Sequence, residues 1–287
     1  MSHGDARRLQ LGGLVVLAML AFAANSVLCR KALTLTAMDP ASFSLIRVAS
    51  GALMLGLLAR VRGVARPERC GSWPAGLALL LYVACFSFAY VTLTAGSGAL
   101  LLFGAVQATM IIRGLLSGER LRLAQWLGLA AALAGLAVLL APGVTAPDPA
   151  GAGLMVVGGV AWGAYSLLGR SSREQPLAAT AGNFLRATPM AALLLLAAAI
   201  GGTAKVDGAG LAYASASGAL ASGLGYALWY AVLPSLRAAS AASIQLSVPV
   251  ITAMGGTLML GEEVSLRLML ASLAVLGGIA LVVRGKH

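Results

Sequence analysis

The sequence predicts an all-α integral membrane protein of ten transmembrane helices, arranged as two five-helix repeats of inverted topology. Three observations predict it. Across 287 residues the chain is 60% hydrophobic and 10% charged, with a mean hydropathy of +0.92, which leaves too little polar surface for a water-soluble globule. Its apolar residues fall into ten continuous Ala/Leu/Gly-rich runs of about 20 residues, the length a helix needs to cross hydrocarbon. The segment Ala21–Arg30, AFAANSVLCR, returns as AWGAYSLLGR at Ala161–Arg170.

The ten spans are expected near residues 9–31, 40–60, 74–94, 97–117, 121–141, 150–171, 177–200, 209–231, 238–260 and 264–284. The runs do not alternate over about ten residues, as barrel strands would. Arg7 and Arg8 before the first run resemble the start of a secretory signal. A cleaved leader has no reason to resemble an internal span, so residues 9–31 are read as helix one. Pro40, Pro74, Pro142, Pro147, Pro149 and Pro176 punctuate segment ends, where a missing N–H costs least. Pro189 and Pro249 fall inside spans seven and nine, where each can kink a helix or free a carbonyl.

Lys and Arg set the orientation. Thirteen gather on one face (Arg7, Arg8, Arg60, Arg62, Arg66, Arg69, Arg120, Arg122, Arg170, Arg173, Arg237, Arg284 and Lys286). Four gather on the other (Arg30, Lys31, Lys205 and Arg267), and Arg47, Arg113 and Arg186 lie within spans. Both termini of this multi-pass protein are therefore expected in the cytoplasm. The formal charge of +11 sits in short inter-span clusters, so nucleic acid is not an expected partner.

The repeat continues past helix one. Arg47 in FSLIR matches Arg186 in GNFLR, Gly118-Glu119 matches Gly261-Glu262, and Gly135 matches Gly278. Each half then holds five spans, and an odd number forces the second half to enter from the opposite side. The expected divisions are residues 1–8 (cytoplasmic tail), 9–145 (first repeat), 146–284 (second repeat) and 285–287 (cytoplasmic tail).

This combination resembles the EamA-type transporters of the drug/metabolite transporter superfamily: the duplicated five-span pattern, the small-and-aromatic first helix with Asn25-Ser26, the Arg of the second helix, and Gly-Glu after the fourth. The likeness covers about residues 10–285. It implies a ten-helix transporter of small metabolites in the cytoplasmic membrane, similar to bacterial amino-acid and aromatic amino-acid exporters. One departure is that Pro249 has Val106 as its first-half counterpart.

Polar and aromatic residues at membrane depth mark the candidate site, because they must face protein or water. Tyr82, Phe86 and Tyr90 share a helical face, as do Tyr226 and Tyr230. Trp162 and Tyr165 form a pair with repeat counterparts in Phe22 and Asn25, and Gln107 and Gln245 add amides on spans four and nine. The substrate-binding candidates are Asn25, Tyr82, Phe86, Tyr90, Gln107, Trp162, Tyr165, Tyr226 and Gln245. They are expected to line a cavity walled by helices one, three, six and eight and closed by four and nine. The competing reading of Tyr90 and Tyr230 is an interfacial belt, and that of the glutamines is interhelical glue. Arg47 and Arg186 are read either as gating groups that also attract a substrate carboxylate or as structural charges binding helix-end carbonyls.

No Asp or Glu is expected at mid-membrane, which disfavours proton-coupled efflux of cationic drugs. Three scattered cysteines and two terminal histidines, His3 and His287, offer no metal or redox motif, and no phosphate-binding loop is present. No cofactor and no enzymatic activity are expected. The function expected is secondary export of small metabolites, foremost amino acids including aromatic ones. The alternative is a carrier of nucleotide sugars or other anionic metabolites. Partners are a small-molecule substrate and the lipid bilayer. A monomer is expected, with Gly114-x-x-x-Gly118 and Gly159-x-x-x-Gly163 offering a route to a dimer.

Overall fold

The computed structural model describes residues 3–64, 66–118, 122–172, 174–236 and 244–284. Glu119, Arg120, Arg173, Arg237, Lys286 and His287 lie outside the described residues, as do positions 238–243 of the ninth expected span. Helices are α1 (His3–Leu35), α2 (Pro40–Val61), α3 (Trp73–Ala89), α4 (Ala95–Leu116), α5 (Leu123–Leu140), α6 (Pro149–Ser171), α7 (Pro176–Ile200), α8 (residues 208–232), α9 (Ser247–Leu260) and α10 (Leu266–Arg284). No strand occurs among the described residues. Among the described residues, seven helices are long and apolar enough to cross a membrane, while α3 and α9 are shorter apolar helices.

Local chemistry starts these helices where the prolines lie. Asp39 caps α2, with Pro40 in its first turn. Ser72, Thr94 and Asp148 accept from the first-turn N–H groups of α3, α4 and α6. Pro149 and Pro176 likewise open α6 and α7, at positions where no intrahelical N–H bond is lost. Pro249 lies in the first turn of α9, and Pro189 lies inside α7.

α8 is not a uniform helix. Its segments Gly208–Ala216 and Gly225–Val232 flank a π-helical stretch, Ser217–Leu224. That wider turn re-aims the residues it carries, a feature concentrated at functional positions.

α2 packs on α7, α4 on α9 and α5 on α10; α1 packs on α8 and α9, and α6 on α3 and α4. Outward-facing Leu53, Leu57, Leu193 and Leu273 are exposed, the pattern of a bundle bathed in lipid rather than water. Glycine permits the closest crossing. A Cβ on Gly278 would overlap the Gly128 carbonyl, and a Cβ on Gly135 would lie 3.0 Å from the Ala271 carbonyl. Gly159 and Gly163 are likewise used inside the bundle, against Leu102, Ala105 and Thr109 of α4.

Candidate functional site

One cavity collects most of the expected site. Its wall is Phe22, Asn25 and Ser26 from α1, Tyr82 and Phe86 from α3, Leu102 and Phe103 from α4, Trp162 from α6, Tyr226 from α8, and Gln245 just before α9.

Aromatic rings fill much of this wall. The Trp162 indole lies 4.8 Å from the Tyr82 ring centroid and 5.3 Å from that of Tyr226, and stacks on Tyr165 at 5.3 Å. Phe22 meets Tyr226 edge-on at 5.7 Å, and Tyr82 meets Phe86 edge-on at 5.4 Å. Offset and edge contacts of this kind favour a flat apolar guest, which can slide between rings that already attract one another.

A polar network adjoins the rings. Ser217 and Ser222, both on the π-helical stretch, donate to Asn25 Oδ1 at 2.8 and 3.2 Å. Arg47 Nε donates to Ser222 Oγ at 3.3 Å, and Arg47 Nη2 donates to the Tyr82 hydroxyl at 3.0 Å. The guanidinium also lies 4.8 Å from the Phe86 centroid and 5.2 Å from that of Tyr82. Arg47 is 1% exposed, and its Nη1 has no hydrogen-bond partner. An Arg at membrane depth costs about 2.5–3.5 kcal/mol on insertion scales, and an unsatisfied buried donor adds about 1–3 kcal/mol.

The remaining expected residues take other places. Tyr90 follows the end of α3, is fully buried, and donates to the Ala95 carbonyl at 3.2 Å. It packs behind Phe86 at 4.7 Å, off the cavity wall. Tyr165 supports Trp162 from behind, and Asn183 Nδ2 approaches its hydroxyl at 3.5 Å. Gln107, half-buried on α4, is not on the wall. Arg186 is not brought to Arg47: its Nη1 donates to the carbonyls of Cys70 and Gly182, tying α7 to the turn before α3.

Asn183 lies seven residues after Pro176, which opens α7, just as Arg47 lies seven residues after Pro40, which opens α2. Asn183 accepts from Ser72 N–H at 2.9 Å. Asn183, Ser217 and Ser222 escaped sequence reading. Asn183 has a signal in its distance from Pro176, whereas nothing local marks these two among the chain's 21 serines.

Arg30, one helical turn beyond Ser26, and Glu262 tie several elements together. Arg30 Nε donates to Glu262 Oε1 at 2.9 Å, and Arg30 Nη1 donates to the Tyr90 and Val91 carbonyls at 2.9 and 3.0 Å. Glu262 Oε2 accepts from Ala95 N–H at 2.7 Å. Glu262 thus joins α1, the α3–α4 turn and the end of α9. Arg170, aligned with Arg30 in the repeat, is exposed at the end of α6.

The profile of the EamA-like transporter family matches residues 12–141 and again 149–284. A protein of Pseudomonas aeruginosa, described as uncharacterized, is 58% identical over 269 residues, covering 94% of this chain and 93% of that one. A solved crystal structure superposes with a TM-score of 0.66 at 21% identity, over 94% of this chain and 98% of the other. At that identity it establishes likeness of fold alone.

Proposed function

The chain belongs to the EamA-like transporter family, and on that premise we propose that it exports small metabolites, foremost amino acids including aromatic ones, by secondary alternating access. The observation that carries this reading is the ring cluster centred on Trp162, with the Asn25 and Gln245 amides set into the same wall. Rings supply shape and apolar contact, and amides orient polar ends. The wall holds no Lys or Arg, so the cluster of basic groups that a nucleotide-sugar carrier calls for is missing from it.

We take the two halves, residues 9–145 and 146–284, as inverted repeats of five spans each. The family profile matching twice supports this, and so does the packing. A shift of 143 residues carries Gly135 to Gly278 and Gly128 to Ala271, turning the Gly128–Gly278 crossing into the Gly135–Ala271 crossing. Rocking of the halves would open one side of the Trp162 cavity while closing the other. In this reading the Arg30–Glu262 contacts hold one side closed. The excess of Lys and Arg at one set of helix ends supports cytoplasmic termini in the inner membrane.

Reconstitution into liposomes tests the reading, by counterflow of a panel of labelled amino acids in wild type, Trp162→Ala, Tyr82→Ala and Gln245→Ala. Aromatic amino acids are expected to exchange in the wild type and to lose exchange in the variants. No exchange of any amino acid would refute the substrate class, and variants that exchange like wild type would refute the site.

A further inference from the structure

The geometry points to Arg47 as the anchor for a carboxylate on the transported molecule, a role that rests on the export reading above and narrows its substrate to molecules that carry a single carboxylate and a flat apolar group. Three observations carry this. Arg47 is buried between α2, α3 and the π-helical stretch of α8, yet among the described residues it forms no ion pair and its Nη1 has no hydrogen-bond partner. All its present partners are neutral: the Ser222 hydroxyl, the Tyr82 hydroxyl, and the faces of Tyr82 and Phe86. The described acidic residues lie at helix ends or in turns, so none of them supplies a counter-charge at that depth.

A guanidinium is a planar fork whose η nitrogens match the two oxygens of a carboxylate. Here one η nitrogen is unpartnered and the other is held only by a tyrosine hydroxyl. Tyr82 is shared between the anchor and the cavity wall, so a carboxylate displacing its hydroxyl would receive both η N–H groups while the rest of the molecule meets the rings. A single fork with no second cation suits one negative charge better than a phosphate or a sugar nucleotide. Asn25, which bonds Ser222 and lines the cavity, links the anchor to the pocket.

The test is competition against labelled L-tryptophan on the purified full-length protein, with three probes: L-tryptophan, indole-3-propionate, which lacks the amine, and tryptamine, which lacks the carboxylate. In wild type the two carboxylates are expected to compete at least about tenfold better than tryptamine. That preference corresponds to about 1.4 kcal/mol. In Arg47→Gln the preference collapses to within about twofold while tryptamine binding persists. Arg47→Lys, which keeps the charge but not the fork, is expected to retain part of it and serves if Arg47→Gln does not fold. Tryptamine binding as well as the carboxylates in wild type, or Arg47 variants weakening all three probes alike, would overturn the anchor and leave aromatic binding standing. Binding of none of the probes to wild type would overturn the aromatic substrate reading and the anchor together.

Discussion

Glu262 accepts from Arg30 across 232 residues of chain, at 2.9 Å, with both side chains less than one-fifth exposed. Its second oxygen holds the Ala95 N–H that opens α4. Glu262→Gln keeps the shape and removes the charge, so the seal weakens from a charge-assisted contact to a neutral one. The expected loss is ~1–3 kcal/mol, read as a lower melting temperature in detergent. A double-mutant cycle with Arg30→Gln is expected to show coupling, and additive losses would refute the pairing as a source of stability.

The α5–α10 crossing depends on bare backbone. A Cβ on Gly278 would meet the Gly128 carbonyl, whereas next to it Gly277 has nothing within 4 Å. Gly278→Ala is therefore expected to destabilise by ~1–3 kcal/mol, because a backbone oxygen cannot rotate aside. Gly277→Ala is expected to be neutral or stabilising by up to ~1 kcal/mol through helix propensity. Thermal denaturation of the two variants decides it, and equal melting temperatures would contradict the close crossing.

Two aspartates outside the spans tie the α1–α2 turn to the α7–α8 turn. Burial alone would raise the Asp39 carboxyl, but hydrogen bonds from Ser42, Ala41 and Lys205 outweigh it and hold the group below its ordinary value. The backbone N–H groups of Ala37 and Gly210 do the same for Asp207. A lowered folded-state value means each contribution is complete above the ordinary carboxylate range, near pH 4, and is lost as pH falls through it. Melting temperature is expected to drop from about pH 4 downward, and less steeply in Asp39→Asn and Asp207→Asn. A wild-type slope unaltered by either substitution would count against this linkage.

Trp162 touches Tyr82, Tyr165 and Tyr226 at once. With each ring pair contributing ~0.5–1.5 kcal/mol beyond burial, Trp162→Ala is expected to cut aromatic amino-acid exchange at least tenfold. Trp162→Phe, which keeps one ring in the stack, is expected to lose less. Initial rates of counterflow at matched protein density measure both, and an inverted order would place the guest elsewhere.

The sequence by itself determined that this chain is apolar and helical, that prolines and capping residues start α2, α3, α6 and α7, and that its first and sixth helices are related. Those properties follow from hydropathy and neighbouring residues, which are local and written in order along the chain. It also picked out the rings, because an aromatic stripe at helical spacing shares a face wherever the helix sits. Only the tertiary structure decided which polar groups meet. Arg47 and Arg186 read alike, yet one is buried beside Tyr82 and the other clasps the Cys70 carbonyl. Tyr90 and Gln107 share the stripe and depth of the cavity residues but lie off its wall. The π-helical turn that delivers Ser217 and Ser222 to Asn25 has no local signature. Helix rotation and close approach are set by contacts between residues far apart in sequence, such as Gly128 with Gly278, and those contacts choose each polar group's partner.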